Sequence, residues 1–515
     1  MEFDNKLPDK ETTRLLDGTE DETSYGGVPN GDTLYKNKHS VDAKKEKARW
    51  NSIRVMYFTI FCEAVTYSVT LPSLWSFLQD IDPSATATLL GWANSTQGLF
   101  ALFSGFVCGW MAGKYNCKAP LIVTLVVGLL ANTVYACVYI PEQKHRSTFL
   151  LLSRALAGIL AGCITVTRVY VNEGTTLSER TQISSRLVTA QLVGYTIGPL
   201  LQVAYVPIGE VGWTVGAMKI NVYTFPALSN FCLIFINLVL IIFVFREIRV
   251  SDESDQKIPE AKIENSIDTI DAIPLSAIDL PVVMYLNAVF CVAIFSFGVN
   301  TTLVSPYGMH MFGWTREEAV EKSSIISLTL AILAIVVIAV MSHLLKRFKE
   351  RVFLALGLAM MIVCTLLAIP MGPGVPPRPD KNITNGTDDD DQGGCPWTYD
   401  WCDTTPAIPL IQFIFSLSIL GVGYPMLQAI AYIIYCKTLA PGHQGLLLGI
   451  FASMGNTGRV LGPLIGSFIY TELGVQWAEG FLLIMLTIVA TGIFPFYRRI
   501  VPYTEHQQKH KKLIS

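Results

Sequence analysis

The sequence predicts an all-α membrane protein made of two six-helix bundles, with both termini in the cytosol. Three observations carry that expectation. Apolar stretches of bilayer-spanning length recur along the chain, charged residues are scarce, and one glycine–proline string occurs at matching places in two sets of six stretches. Of 515 residues, 51% are hydrophobic and only 15% are charged, whereas soluble domains carry about 25% charged residues. The mean hydropathy is +0.43, so much of the chain cannot face water. The formal net charge of −3 suggests no polyanionic partner. Neither zinc-ligand spacing nor a basic–aromatic stripe points to nucleic acid.

A helix needs roughly 20 mostly apolar residues to cross a bilayer. Runs of that kind lie near 53–79, 88–112, 120–140, 148–171, 183–206 and 222–245. After a polar stretch they resume near 281–305, 323–345, 352–370, 406–435, 443–470 and 478–497. The count is about twelve by the length criterion. Gly, Ala, Ser and Thr recur within them, as close helix contact in lipid requires. The expected organisation is a disordered cytosolic tail (1–52), a first bundle (53–245), a cytosolic linker (246–280), a second bundle (281–497) and a closing cytosolic tail (498–515). The second bundle carries a long lumenal loop at 371–405.

Lys and Arg near span ends set the orientation. Lys44, Lys45, Lys47, Arg49 and Arg54 precede or open the first span, and Lys114 and Lys118 lie between the second and third. Arg246 and Arg249 follow the sixth, Lys346, Arg347, Lys349 and Arg351 separate the eighth from the ninth, and Arg498 and Arg499 follow the last. All fall on one side if the spans alternate. The other side carries Asp80, Asp82, Glu317, Glu318, Glu321 and the run Asp388 to Asp391, with Lys144 and Arg146 as a small exception.

The 371–405 loop holds two glycosylation sequons, Asn382-Ile-Thr384 and Asn385-Gly-Thr387. Asn94-Ser-Thr96 also fits the pattern but lies within the second span, and Asn300-Thr-Thr302 lies close to the membrane. Of eleven cysteines, Cys395 and Cys402 are the two clearly on the oxidising side, which makes them a candidate disulfide. The other nine read as small apolar packing residues. Residues 1–52 lack the apolar core of a cleavable signal peptide. Within this polar tail, Glu11 stands four positions before Leu15-Leu16. An acid spaced so from a leucine pair resembles the dileucine signal that sorting adaptors read on extended cytosolic segments; the alternative is a chance match.

The halves look related. The fifth stretch reads Gly194-Tyr-Thr-Ile-Gly198-Pro199 and the eleventh Gly458-Arg-Val-Leu-Gly462-Pro463. The glycines permit close helix approach and the proline removes a backbone donor. The same string at the corresponding span of each six implies a duplicated bundle.

On these residues the chain resembles the major facilitator superfamily. Gly109-Trp-Met-Ala-Gly113-Lys114-Tyr-Asn116-Cys-Lys118 resembles that family's signature between the second and third spans, with Gly113 where the family usually has Asp. Arg154-Ala-Leu-Ala-Gly158-Ile-Leu-Ala-Gly162 is similar to its fourth-span pattern, and Leu344, Lys346, Glu350 and Arg351 look like a second copy of the loop signature. A narrower resemblance, to a lysosomal branch of the family, rests on ordered short motifs. These are Ser52-Ile-Arg54, Gln79-Asp-Ile-Asp82-Pro83, Ser178-Glu-Arg180-Thr181 and Gly421-Val-Gly-Tyr424-Pro425. The resemblance implies a twelve-helix carrier fold in a late endosomal or lysosomal membrane. It leaves solute carriage and chloride conduction both open.

Ionisable groups at membrane depth are costly and usually functional. Glu63 lies about ten residues into the first span, near mid-bilayer at ~1.5 Å per residue. It is a candidate to bind and release a proton, or it faces an aqueous cavity without coupling. Arg154 and Arg459, in the fourth and eleventh spans, could bind an anionic group or chloride, or tie down a backbone carbonyl or Glu63 itself. Gln97, Gln191, Gln412, Tyr424, Gln428 and Asn456 are polar candidates for the pathway; each alone is more often an interhelical hydrogen bond. Arg168 and Glu173 could pair as a gate or snorkel to the surface. His310 and His343 lie near span ends, where imidazoles can sense pH.

Enzyme readings find no footing: there is no glycine-rich phosphate loop, no His-Glu-x-x-His and no nucleophile–base pair in an aqueous segment. No cofactor or metal is expected. The partners expected are a small solute or chloride, sorting adaptors and the bilayer, with no nucleic acid. The reading is a lysosomal or late endosomal carrier for a small anionic or zwitterionic solute, working by rocking of two bundles around a central site and possible coupling to an ion gradient. A chloride-conducting channel and a non-transporting scaffold are the alternatives.

Overall fold

The computed structural model describes residues 31–175, 177–216, 218–248, 279–345, 347–379, 393–438, 444–497 and 499–500. The N-terminal half comprises α1 (Gly31–Val69), α2 (Leu74–Ile81), α3 (Ala87–Lys114), α4 (Lys118–Ala136), α5 (Gln143–Leu160), α6 (Gly162–Glu173), α7 (Leu177–Tyr205) and α8 (Phe225–Phe243). The C-terminal half comprises α9 (Leu280–Phe312), α10 (Arg316–Leu344), α11 (Glu350–Ala368), α12 (Leu410–Thr438), α13 (Gln444–Leu473), α14 (Val475–Thr491) and the short α15 (Ile493–Phe496). A short antiparallel hairpin, β1 (Trp213–Val215) and β2 (Met218–Ile220), caps the connection from α7 to α8.

Among the described residues, nine helical spans are long and apolar enough to cross a membrane, or ten if the bent α1–α2 pair is one span. Two more helices complete twelve passes. These are α3, with 28 residues, and α13, with 30, which are long but fall short of the same hydropathy test. Their polarity has a structural cause: α3 and α13 pack on one another across the two halves. Asn94, Ser95 and Gln97 on α3, with Asn456 and Arg459 on α13, replace the side chains that lipid-facing helices carry.

Two spans expected as continuous are broken. The first stops at Val69 and resumes at Leu74 with a bend of 53°. Pro72 lies in the break; it lacks a backbone donor and disfavours helix at the residue before it. The fourth is interrupted at Ala161, where Ala161 N bonds Gly158 O at 3.2 Å and Ile164 N bonds Ala161 O at 3.1 Å, a tighter turn than the α-helix. α1 also begins at Gly31, inside the segment expected to be a disordered tail. Ala43 to Arg49 is rich in Ala, Lys and Glu, which favour helix, so the helical stretch starts well before the membrane run. The start of α10 is fixed by a capping box: Thr315 Oγ1 accepts from Glu318 N and Glu318 Oε2 from Thr315 N, both at 3.3 Å.

The glycine strings have the same job in each half. A Cβ on Gly194 would lie 2.7 Å from Phe61 O, so α7 presses on α1. A Cβ on Gly458 would lie 2.5 Å from Cys291 O, and one on Gly462 2.6 Å from Phe295 O, so α13 presses on α9. The fifth span thus meets the first as the eleventh meets the seventh, which is the geometry of a repeat.

One end of the molecule carries Lys114, Lys118, Arg246 and Arg351 and is called the basic face here; the other carries the Cys395–Cys402 disulfide. Near the disulfide face, Leu74, Trp75, Phe77 and Leu90 of the first half share one buried cluster with the second half. Near the basic face, Ile53, Met56, Leu121 and Phe245 form a separate cluster. The halves are therefore joined at the disulfide face.

Candidate functional site

A small pocket, with a cavity volume of about 20 Å³, lies inside the N-terminal half, between α1, α3, α4 and α5. One wall is built by Glu63, Thr66 and Tyr67 of α1 and by Thr70 just past its end. The first three fall at i, i+3 and i+4, one face of a helix. Gln97 comes from α3, Asn132 and Tyr135 from α4, Ser153 and Arg154 from α5.

Glu63 is 7% and Arg154 3% exposed, so both charged side chains are withdrawn from water. Arg154 Nη1 donates to Thr70 Oγ1 at 3.2 Å and Nη2 to Asn94 Oδ1 at 3.1 Å. Its Nε has no hydrogen-bond partner, and neither has Glu63 Oε2. A buried polar atom without a partner costs about 1–3 kcal/mol, so both atoms mark places where a solute or water is needed. No ion pair joins Glu63 to Arg154 among the described residues.

Arg459 does not line this pocket. It lies midway along α13, its side chain open to solvent, within electrostatic reach of Tyr67, Tyr195, Tyr424 and Glu63. Tyr67 and Tyr195 meet edge-on with centroids 6.0 Å apart, and Gln191 Nε2 donates to Tyr195 Oη at 3.4 Å. Tyr424 stacks on Phe297 at 3.9 Å. Gln428 is part-buried one turn further along α12. The sequence candidates therefore divide. Glu63, Gln97 and Arg154 share the pocket, while Arg459, Gln191 and Tyr424 surround a tyrosine group whose member Tyr67 also lines it. Gln412 is a structural tie, donating to Leu367 O at 2.8 Å and Ile369 O at 3.0 Å. Arg168 is within reach of both Glu63 and Tyr432 of the other half. Tyr67, Thr70, Tyr135 and Tyr195 fall outside the sequence candidates, although the spacing of Thr66, Tyr67 and Thr70 from Glu63 carries a signal for the first two.

Every hydrogen bond or ion pair described between the halves lies between mid-membrane and the disulfide face. Asp80 pairs with Arg316 at 3.5 Å, Ser76 Oγ donates to Arg316 O at 3.2 Å, and Thr88 N to Thr471 Oγ1 at 3.1 Å. Asn94 Nδ2 donates to Thr302 Oγ1 at 3.2 Å, and Ser95 Oγ to Val460 O at 2.6 Å. Tyr139 Oη also donates to Asp80, at 2.5 Å. The loop closed by the Cys395–Cys402 disulfide plugs the same end. Its Tyr399 Oη accepts from Ala87 N at 3.5 Å, and its Tyr399 ring meets buried His310. His310 in turn faces Trp75 of the first half, and its Nδ1 lies 2.9 Å from Tyr470 Oη.

At the basic face, Cys117, Glu173 and Glu247 bring ligand-type atoms within 4.8 Å of one another. Cys117 N already donates to Glu247 Oε2 at 3.0 Å, which ties helix ends together away from the pocket. The sorting candidates Glu11, Leu15 and Leu16 and the sequon residues Asn382 and Asn385 lie outside the described residues.

Comparison with known proteins agrees with this architecture. The profile described as Major Facilitator Superfamily matches residues 56–378 and 396–514. Major facilitator superfamily domain-containing protein 8 of Xenopus laevis is 32% identical over 484 residues, covering 90% of this chain and 94% of that protein. Among solved structures, a D-xylose–proton symporter superposes with a TM-score of 0.62 at 12% identity, over 88% of this chain and 98% of that one. A bacterial homologue of the human lysosomal transporter Spinster, in an inward-facing and occupied conformation, gives 0.59 at 12% identity, over 87% and 96%.

Proposed function

The chain belongs to the major facilitator superfamily, a family of membrane transporters, and on that premise we propose that it carries a small anionic or zwitterionic solute across the lysosomal or late endosomal membrane. The observation that carries the reading is the pocket in which Glu63 and Arg154 are both buried and both left with an unpartnered atom. A solute that supplies those partners is bound by groups that have already lost their water. Its binding also bears on Asn94, which links Arg154 to Thr302 in the opposite half. Transport then follows from rocking of the halves: the conformation described is closed at the disulfide face. We assign the basic face to the cytosol from its Lys and Arg content and the disulfide face to the lumen. Glu63 is the group we assign to ion coupling, because it reaches the pocket on one side and the field of Arg459 on the other.

A second reading is favoured by one observation. Arg459 is solvent-open at mid-membrane among three tyrosines, an arrangement that would also suit a chloride-conducting pathway. The Leu15–Leu16 signal behind Glu11 supports endolysosomal delivery by sorting adaptors, and Asn382 and Asn385 are the glycan acceptors we assign on the lumenal loop.

The test uses protein diverted to the plasma membrane by Leu15→Ala and Leu16→Ala, recording current and intracellular pH while chloride and solute are varied. Failure of that pair to reach the surface would remove the sorting assignment. A solute-evoked pH change lost in Glu63→Gln supports coupled carriage. A current that reverses with the chloride gradient and disappears in Arg154→Ala or Arg459→Ala would displace it in favour of the anion pathway. Silence in every assay, with cell function intact in all three variants, would leave a scaffold.

A further inference from the structure

We propose, resting on the side assignment made above, that His310 is a lumenal proton-binding site: the closed disulfide face accepts only its neutral ring, and a proton taken up there favours opening. His310 lies in the last turn of α9 and is 1% exposed. Three other elements enclose it. Trp75 of α2, from the opposite half, meets it edge-on at 6.0 Å. Tyr399 of the disulfide loop does so at 5.5 Å, and Tyr470 of α13 lies nearly parallel at 5.9 Å. The loop is held beside it by backbone, since Gly394 N donates to Met309 O at 3.0 Å. One imidazole therefore touches both halves and the plug, the parts whose contacts must break if this face is to open.

The hydrogen bonds around the ring fit one protonation state. Nδ1 lies 2.9 Å from Tyr470 Oη, and Nε2 has no partner. A neutral ring with its hydrogen on Nδ1 leaves only a bare lone pair at Nε2. A charged ring carries a hydrogen on both nitrogens, and the second would point at no acceptor. Nor is there a countercharge. The groups facing His310 are the Trp75 indole from α2, the Tyr399 phenol from the loop and the Tyr470 phenol from α13. Tyr307, one turn back on α9, gives its hydroxyl to Ala368 O at 2.7 Å. Among the described acids, Glu472 is within electrostatic reach of Tyr399 and Glu479 of Tyr307, and Asp80 is paired with Arg316; none acts on His310. The ring faces attract a cation, but by less than it costs to strip an unpaired charge of its water. A protonated His310 and the packed gate are therefore opposed, and opening to water removes the conflict. The sign follows by linkage: the open state binds the extra proton, so acid shifts the balance toward it. With an exposed imidazole's ordinary proton affinity in the open state, lowering the lumenal pH from about 7.2 to about 5 raises the open-to-closed ratio roughly 25-fold.

The experiment reads labelling of Ser76→Cys by an impermeant thiol reagent in the purified full chain reconstituted in liposomes, with reagent and acid applied at the disulfide face. Each rate is divided by that of Val211→Cys, an exposed position before β1, which removes the reagent's own pH dependence. The normalised rate is expected to rise roughly 25-fold from about pH 7.2 to about pH 5. His310→Phe keeps a ring in the aromatic box, and His310→Gln keeps a hydrogen-bonding group for Tyr470. In both, the rate should be the same at the two pH values, whatever its level. A merely structural histidine would change that level and leave the pH response. A flat response in the chain that keeps His310, or a response that persists in either variant that folds, overturns the proposal. A response only to acid at the basic face overturns it together with the side assignment. The full response, lost in both variants, in a chain that carries no solute would remove the carrier reading and leave this site in place.

Discussion

Arg154 donates to Asn94 at 3.1 Å, and the same Asn94 amide donates onward to Thr302 Oγ1 at 3.2 Å in the other half. The pocket and the contact that closes the disulfide face thus share one side chain. Thr302→Val removes the acceptor in the gate and leaves the pocket side of the link in place. A lost neutral hydrogen bond is worth about 1 kcal/mol, or roughly a fivefold change in the closed-to-open ratio. The expected result is a roughly fivefold faster reaction of a cysteine placed at buried Ser76 with an impermeant thiol reagent, with solute affinity little changed. Asn94→Ala should do the same and weaken solute binding too, because Arg154 also loses a partner. Equal effects of both substitutions on binding would mean that the Asn94–Arg154 contact does not contribute to the site.

The ion pair of Asp80 and Arg316 spans the halves at 3.5 Å, with both side chains largely shielded. Asp80 also receives the Tyr139 hydroxyl. Asp80→Asn keeps the shape and removes the charge, so the closed gate should weaken by about 1 kcal/mol, the upper end of what a surface pair gives. Thiol labelling at Ser76→Cys reads this directly. The double exchange Asp80→Arg with Arg316→Asp should recover part of the closure; no recovery would mean that Tyr139, rather than Arg316, is the partner that matters.

Much of this architecture is legible in the sequence because bilayer thickness imposes a length that composition can reveal. Ten of the passes follow from that rule alone. The spans of α3 and α13 are legible by their length in spite of their polarity, and the structure explains that polarity as inter-half contact. The break at Pro72 carries a local signal, whereas the interruption at Ala161 depends on how Gly158 and Gly162 nest against α3, a tertiary fact. Glu63 and Arg154 stand out because charge in lipid is rare. Their shared cavity does not, because it depends on α4 supplying Asn132 and Tyr135, and no spacing in one helix reports what a neighbouring helix brings. The placement of Arg459 outside that cavity is tertiary for the same reason.

The two glycine strings give a paired expectation. A methyl group on Gly194 meets Phe61 O at 2.7 Å and one on Gly458 meets Cys291 O at 2.5 Å. Backbone cannot swing aside as a flexible side chain can, so each helix pair must separate. Gly194→Ala and Gly458→Ala should each cost about 1–3 kcal/mol, seen as a lowered midpoint in thermal unfolding of the detergent-purified chain. Gly449→Ala and Gly480→Ala, where an added Cβ meets nothing within 4 Å, are the controls and should be neutral or slightly stabilising through helix propensity. A neutral Gly458→Ala would show that α13 and α9 do not approach as closely as described.

The disulfide between Cys395 and Cys402 closes a loop of sequence separation 7. Loop-closure entropy for so short a ring is worth roughly 2 kcal/mol. That loop places Tyr399 over Ala87 N and Trp401 against Tyr470 and Gly474, so loosening it removes the plug from the disulfide face as well as stability from the fold. Cys395→Ser with Cys402→Ser should lower the unfolding midpoint and raise thiol labelling at Ser76→Cys together. Tyr399→Phe separates the two effects: it keeps the disulfide and the ring contacts and removes only the hydroxyl that meets α3. Faster labelling in Tyr399→Phe with an unchanged midpoint would locate the closing contact at that hydroxyl. Unchanged labelling in it, with a lowered midpoint in the cysteine pair, would make the loop a structural brace and leave closure to Asp80, Arg316 and Asn94.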